Sequence, residues 1–437
     1  MPAPDTASEI AVSLLTGGSD RPYVHGLTTS LTLQGVDLDL IGSDELDFPE
    51  IRALVRLSFF NLRGSSRSDA SFTNKVWRIL QYYFKLVRYA ATARPRIFHI
   101  LWNNKFEFFD RTFLMIYYKL LGKRVVLTVH NVNAARRDLK DTWLNRLTLR
   151  VQYRLSDHIF VHTEVMKSEL VEEFGARSSL VAVIPFGINN AAPNTSVTPE
   201  DAKRRLGLRP DEKAILFFGR ITPYKGLEFL IDAVRQARTR CADYRLIIAG
   251  RPDRCEEYWS AIREQIRGEV ERGEILLRAE FISDEETEVF FKAADVVVLP
   301  YRDIYQSGVL FLGQSFGLPA LVADVGSLKD DVIEGETGFV FKPEDPDDLA
   351  RAIEIYFASD LYQRLPEKRK VIRRHVETHH SWDAIGQTTV AVYNRLLKSA
   401  PPEANKSHTG SQSMPIEKST PGQPGALLQR DSSGRSL

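Results

Sequence analysis

AILFFGRITPYKGLEFLIDAV, residues 214–234, decides the fold. A short run of Ala, Ile, Leu and Phe ends in Gly219, as strands buried on both faces do. Arg220 follows, then a turn at Pro223, then Lys225–Gly226, then a stretch with the apolar period of a helix. Strand, cationic turn and helix start place two cations five residues apart where a diphosphate could be held and stabilised as a leaving group. The plain alternative is that Arg220 and Lys225 cap a surface turn.

The same grammar repeats on both sides. Upstream, IAVSLLT (10–16), RIFHILW (96–102), RVVLTVH (124–130), HIFVHT (158–163) and SLVAVIP (179–185) read as strands. Amphipathic segments at 75–92, 107–121 and 141–155 lie between them. Downstream, YRLIIAG (244–250), EILLRAEF (274–281), VVVLP (296–300) and PALVAD (319–324) read as strands. Helical stretches at 226–239, 256–271, 284–294 and 308–316 separate them, and 346–358, 360–376 and 381–398 follow. Strand–helix alternation implies parallel sheets covered on both faces. The polar stretch GINNAAPNTSVTPED (187–201) reads as a linker between two such domains. Ligands of open α/β sheets bind beyond the carboxyl ends of the strands, here in a cleft between domains.

A second anion site is legible at Ser307–Gly308, where a polar loop opens into an apolar helix. Unpaired N–H groups of Ser307, Gly308 and Val309 at that helix start would clasp a phosphate. An ordinary strand–helix turn has the same local text.

Together these segments resemble the nucleotide-binding domain of glycosyltransferase family 4 (glycosyl transferases group 1), retaining enzymes with the GT-B fold. The resemblance rests on FFGRITPYKG, IIAG (247–250), FISDEE (281–286), AADVVVLPY (293–301) and FGLPALVADVGSLKDDVIEGETGFVF (316–341), in order, across roughly 180–398. SW in HHSWDAIGQTTVAVYNRLL (379–397) resembles the family's closing helix. The N-terminal half resembles the family more loosely, through Gly17–Gly18, TVHN (128–131) and VIPFGI (183–188). The fold so implied is two Rossmann-like domains facing across a cleft. Residues 1–187 would form the acceptor domain and 188–380 the nucleotide-sugar domain. Residues 381–398 would cross back to the first domain, and 399–437 would be a disordered tail.

The resemblance also implies roles. Arg220, Lys225 and His130 would be catalytic, the cations on the donor diphosphate and His130 beside the transferred sugar. Gly17, Gly18, Gly250, Arg251, Phe281, Ile282, Ser307, Gly308 and Val309 would bind the donor. The plain alternative for His130 is a histidine satisfied by a local carbonyl. Family members commonly carry two glutamates eight positions apart, which fall here near Ile304 and Leu312. Asp303 and Gln314 are the polar neighbours left to substitute. The implied activity is retaining transfer of a hexose from a nucleotide diphosphate sugar to a glycan or lipid-linked hydroxyl, in polysaccharide or glycoconjugate biosynthesis. No metal and no other cofactor is implied. A degenerate nucleotide-sugar-binding protein, or an epimerase of the same fold, would use the same cleft.

The 437 residues carry a formal net charge of +1, which argues against a nucleic-acid binder. Two cysteines suit a reducing compartment and match no metal ligand set. MPAPDTASEIAV lacks the features of a secretory leader, so the expected location is the cytoplasm. Residues 51–100 nevertheless hold ten Lys or Arg against one acid, Asp69, a local charge of +9. Within them KVWRILQYYFKLVRYAAT (75–92) reads as a basic amphipathic helix, which suits the inner face of a membrane or, equally, a core-packed helix with a solvated face.

Overall fold

The computed structural model describes residues 10–17, 20–65, 72–137, 140–188 and 192–398, with 72–75 described by backbone alone. Gly18 and the tail from 399 onward lie outside the described residues.

Seven strands form the first sheet: β1 (Ala11–Thr16), β2 (Asp37–Gly42), β3 (Leu57–Asn61), β4 (Ile97–Trp102), β5 (Arg124–Thr128), β6 (His158–Val161) and β7 (Val181–Val183). Their order is β3-β2-β1-β4-β5-β6-β7, and every pairing is parallel. The second sheet holds β8 (Lys213–Phe218), β9 (Tyr244–Ala249), β10 (Ile275–Arg278), β11 (Val296–Leu299), β12 (Ala320–Ala323) and β13 (Gly338–Phe341). Its order is β10-β9-β8-β11-β12-β13, again all parallel. The fold is thus the two-domain α/β GT-B fold. Each sheet reverses its order once, beside β1 and beside β8, and crevices open at such points.

Burial on both faces explains the apolar runs. Along β8, Ile215 and Phe217 enter one core cluster and Ala214 and Leu216 the opposite one. Each of the larger side chains, Ile215, Leu216 and Phe217, contributes about 1.5–3 kcal/mol on burial.

Three strands escape the sequence expectations: β2, β3 and β13. Two of them, β3 and β13, are sheet edges, and β2 is next to one. The helix Arg21–Leu33 was also unexpected, although Asp20 caps it and Pro22 stands in its first turn. The expected linker is shortened by a helix, Pro199–Arg205, whose first turn is capped by Thr198. Two expected helices are interrupted: 256–271 at Ile266, and 360–376 at Arg364 ahead of Pro366.

The helix Trp382–Lys398 lies on Arg21–Leu33, against the first sheet's core. Trp382 is the anchor. Its indole N–H donates to the Ile188 carbonyl at 2.8 Å, and its ring meets Tyr23 edge-on with centroids 5.1 Å apart. A Cβ at Gly26 would stand 2.0 Å from this indole, and one at Gly187 2.3 Å from it. Trp382→Ala should therefore destabilise the chain by about 3–5 kcal/mol in urea denaturation. A loss under about 1 kcal/mol would show that the indole packs without holding the helix.

Candidate functional site

The turn after β8 is built by glycines. Gly219 has φ +96° and Gly226 φ +63°, a region that side chains avoid. A Cβ at Gly226 would stand 2.0 Å from the Pro300 carbonyl oxygen. This approach presses the turn Pro223–Lys225 against the end of β11. Lys225 is thereby buried, with Nζ 5.3 Å from the centroid of the Tyr301 ring, itself fully buried. Among the described residues no carboxylate lies within ion-pairing distance of Lys225. Arg220 is two-thirds exposed and pairs with Asp253 at 3.1 Å.

From the other side comes the helix Gly308–Ser315. Ser307 stands at its N-cap but its side chain makes no capping bond; its Oγ lies 3.4 Å from the Tyr301 hydroxyl. The first N–H groups of that helix keep their capacity for an anion. Gly308 faces Phe186 across the cavity, and a Cβ there would make an ordinary contact with that ring at 3.5 Å.

These parts converge on a cavity of about 320 Å³. Arg220, Lys225, Ser307, Gly308 and Val309 line it from the second sheet, and Asp20, Tyr23 and Phe186 from the first. Ile304 and Leu312 line it too, at the positions where the family resemblance led us to expect acids. Burial, the nearby Arg220 charge and then Arg137 push the Lys225 ammonium down to about 7.

Other expected residues stand elsewhere. His130 does not line the cavity: it is stacked on Trp102 at 4.3 Å, and Tyr23 covers it edge-on at 4.7 Å. Its Nδ1 is 3.0 Å from His162 Nε2, its Nε2 is buried without a partner, and burial pushes its pKa well below the usual histidine range. Asp303 lines a neighbouring cavity of about 230 Å³ with Asn131, Arg136 and Glu169. Gln314 is buried and donates to the Asp331 carbonyl at 2.9 Å. Gly250 lies beneath Gly219, whose carbonyl oxygen a Cβ there would meet at 2.0 Å. Arg251 is exposed, as is Phe281, while Ile282 is buried in the core. Gly17 ends β1, its amide donating to the Trp102 carbonyl at 3.1 Å.

Sequence reasoning missed Asp20, Tyr23, Tyr301 and Gln306. The first two sit at a helix start whose Asp-x-Pro signature was legible. Gln306 lines the cavity, and its Nε2 lies 3.4 Å from Asp331, a carboxyl that burial raises to about 7. Among the described residues no group of three or more His, Cys, Asp or Glu could hold a metal ion.

An anion in this cavity favours charged Lys225, so its affinity should be full below pH 7 and decline as the pH rises through about 7. The dissociation constant of a nucleotide diphosphate sugar, followed by calorimetry across that range, should rise for the native chain and stay flat for Lys225→Met. Parallel profiles would show that Lys225 does not face the anion.

A family model described as Glycosyltransferase Family 4 matches residues 17–191, and one described as Glycosyl transferases group 1 matches 212–358. A D-inositol 3-phosphate glycosyltransferase of Corynebacterium diphtheriae is 28% identical over 274 residues, 61% of this chain and 62% of that protein. The chain thus spans about three fifths of that relative's length. Among solved structures, a sucrose-phosphate synthase from Thermosynechococcus elongatus superposes with a TM-score of 0.70 at 19% identity, covering 90% of this chain and 100% of that one. Anabaena HepE in complex with UDP-glucose gives 0.69 at 15% identity, covering 89% and 100%.

Proposed function

The chain belongs to the GT-B glycosyltransferases of the group 1 and family 4 type, and from that premise we propose that it transfers a sugar, with retention, from a nucleotide diphosphate sugar to a hydroxyl of a glycan or lipid-linked acceptor. The observation that carries this is Lys225, a buried ammonium without a carboxylate partner, facing the same cavity as Arg220 and the start of the Gly308–Ser315 helix. A buried cation is costly unless something anionic offsets it. The UDP-glucose named for HepE supports a sugar nucleotide as that anion.

In this reading residues 188–380 hold the donor and residues 1–187 present the acceptor. Lys225 and Arg220 neutralise the charge that grows on the departing diphosphate, and the helix N–H groups take further phosphate oxygens. Positive charge from the protein fills the role that a divalent cation plays elsewhere. The leaving phosphate, still beside the anomeric carbon, accepts the proton of the incoming hydroxyl, so that attack and departure share one face of the sugar. Tyr23 and Phe186 line the cavity from the acceptor side and restrict water.

A second reading has one observation in its favour. Ile304 and Leu312 present aliphatic side chains to the cavity, which suits a protein that binds the nucleotide sugar without turning it over.

Lys225→Ala should lower turnover by about 10²–10³-fold, the size of losing one donor to a developing anion, while thermal unfolding stays cooperative. Unchanged turnover would remove Lys225 from the mechanism. Binding of a nucleotide sugar with no turnover by the native chain, across glycan and lipid-linked acceptors, would favour the second reading.

A further inference from the structure

Three of the helices that cover one face of the first sheet carry exposed apolar side chains. They are Phe72–Thr92, the continuous helix 107–120 with a π-helical turn at Asp110–Leu114, and Trp143–Leu155. All three bury side chains in the same core: Leu86 from the first, Met115 and Tyr118 from the second, Leu149 and Tyr153 from the third. They also pack side by side. Tyr83 meets Phe109 edge-on at 5.1 Å, and Arg111 donates to Asn145 at 2.7 Å. Because the inner faces share one core, the outer faces point the same way.

Those outer faces are apolar where a solvated helix would be polar. Trp77, Leu80 and Phe84 follow one another at helical spacing and are 62%, 56% and 70% exposed. Phe113, Ile116 and Leu120 repeat that spacing on the second helix, the last 81% exposed. Trp143 and Leu147 continue it on the third, the former 75% exposed. Exposed apolar side chains repeated at this spacing on neighbouring helices suit a binding face.

The charge beside this face selects its occupant. Lys85, Arg88, Lys105, Arg150 and Arg154 are exposed on or next to these helices, and Glu107 is the exposed acid among them. Tryptophan, phenylalanine and leucine bordered by basic side chains are the composition of a surface that lies in the headgroup layer of an anionic bilayer. None of the described helices is long and apolar enough to cross a membrane. We propose that the outer face of these three helices docks the protein onto an anionic lipid surface, its aromatic side chains entering the interface and Lys85, Arg88 and Arg150 meeting the headgroups. This rests on the proposed transfer to a lipid-linked hydroxyl only for its purpose, since the first sheet is also the acceptor side. The surface itself stands without it.

The test is co-sedimentation of the full chain with phosphatidylcholine vesicles and with mixed phosphatidylcholine–phosphatidylglycerol vesicles. The protein should pellet with the mixed vesicles, and added salt should weaken binding. Trp77→Ser combined with Phe84→Ser and Phe113→Ser should abolish binding, and Lys85→Glu with Arg88→Glu should weaken it at least tenfold. Each variant should keep the native affinity for a nucleotide diphosphate sugar, which separates loss of this surface from loss of the fold or of the proposed activity. Native protein left in the supernatant with both vesicle types would overturn the proposal. So would a dimer in sedimentation velocity that Trp77→Ser dissolves, since a second copy would then cover the face.

Discussion

An ammonium sunk between a tyrosine ring and a glycine turn is the constraint from which the rest of the architecture follows. Lys225 reaches its place because Gly226 takes a left-handed backbone and lies almost on the Pro300 carbonyl. Its nearest charged influences, Arg220 and Arg137, are cations that oppose its charge, and burial opposes it further. The π face of Tyr301 offers partial compensation. A site built this way holds positive potential in reserve, and that potential gains most from an anion with several oxygens. The neighbouring helix start, with its N-cap side chain unused, adds donors aimed into the same space.

The topology explains why this potential lies in a cleft. The first sheet reverses its order beside β1 and the second beside β8, and the cavity lies at the carboxyl ends of these two strands. The first sheet supplies Asp20, Tyr23 and Phe186, and the second supplies the cations. Trp382 fixes the returning helix close to this junction. It touches Tyr23, which lines the cavity, and donates to Ile188 at the end of the segment that carries Phe186. The returning helix thus packs directly against the wall of the cavity that the first sheet supplies.

Much of this was readable from residue order. The central strands announced themselves as apolar runs because both faces are covered. β2 did not, because Asp37 and Asp39 alternate with its leucines; Asp39 accepts from the Tyr89 hydroxyl at 2.6 Å, a partner fifty residues away. β3 and β13 are edges, where one flank lacks a neighbour and the pattern loosens. The cationic turn was legible because strand, turn and helix are contiguous. The opposite wall was not, since Asp20 and Lys225 come to line one cavity only through topology. His130 could be picked out by its place after a strand, but nothing local shows that it packs against the rings of Trp102 and Tyr23. Asp303 adjoins Ile304 in sequence, yet Ile304 reaches the main cavity while Asp303 lines only the one beside it.

The central claim concerns where a diphosphate sits. A crystal structure of the full chain grown with a nucleotide diphosphate sugar tests it most directly. Phosphate oxygens should lie about 2.7–2.9 Å from Lys225 Nζ and within reach of the Gly308 and Val309 amides, with the Arg220 guanidinium turned toward them. A nucleotide bound at another face of the molecule, or bound here with its phosphates turned away from Lys225, would contradict the account.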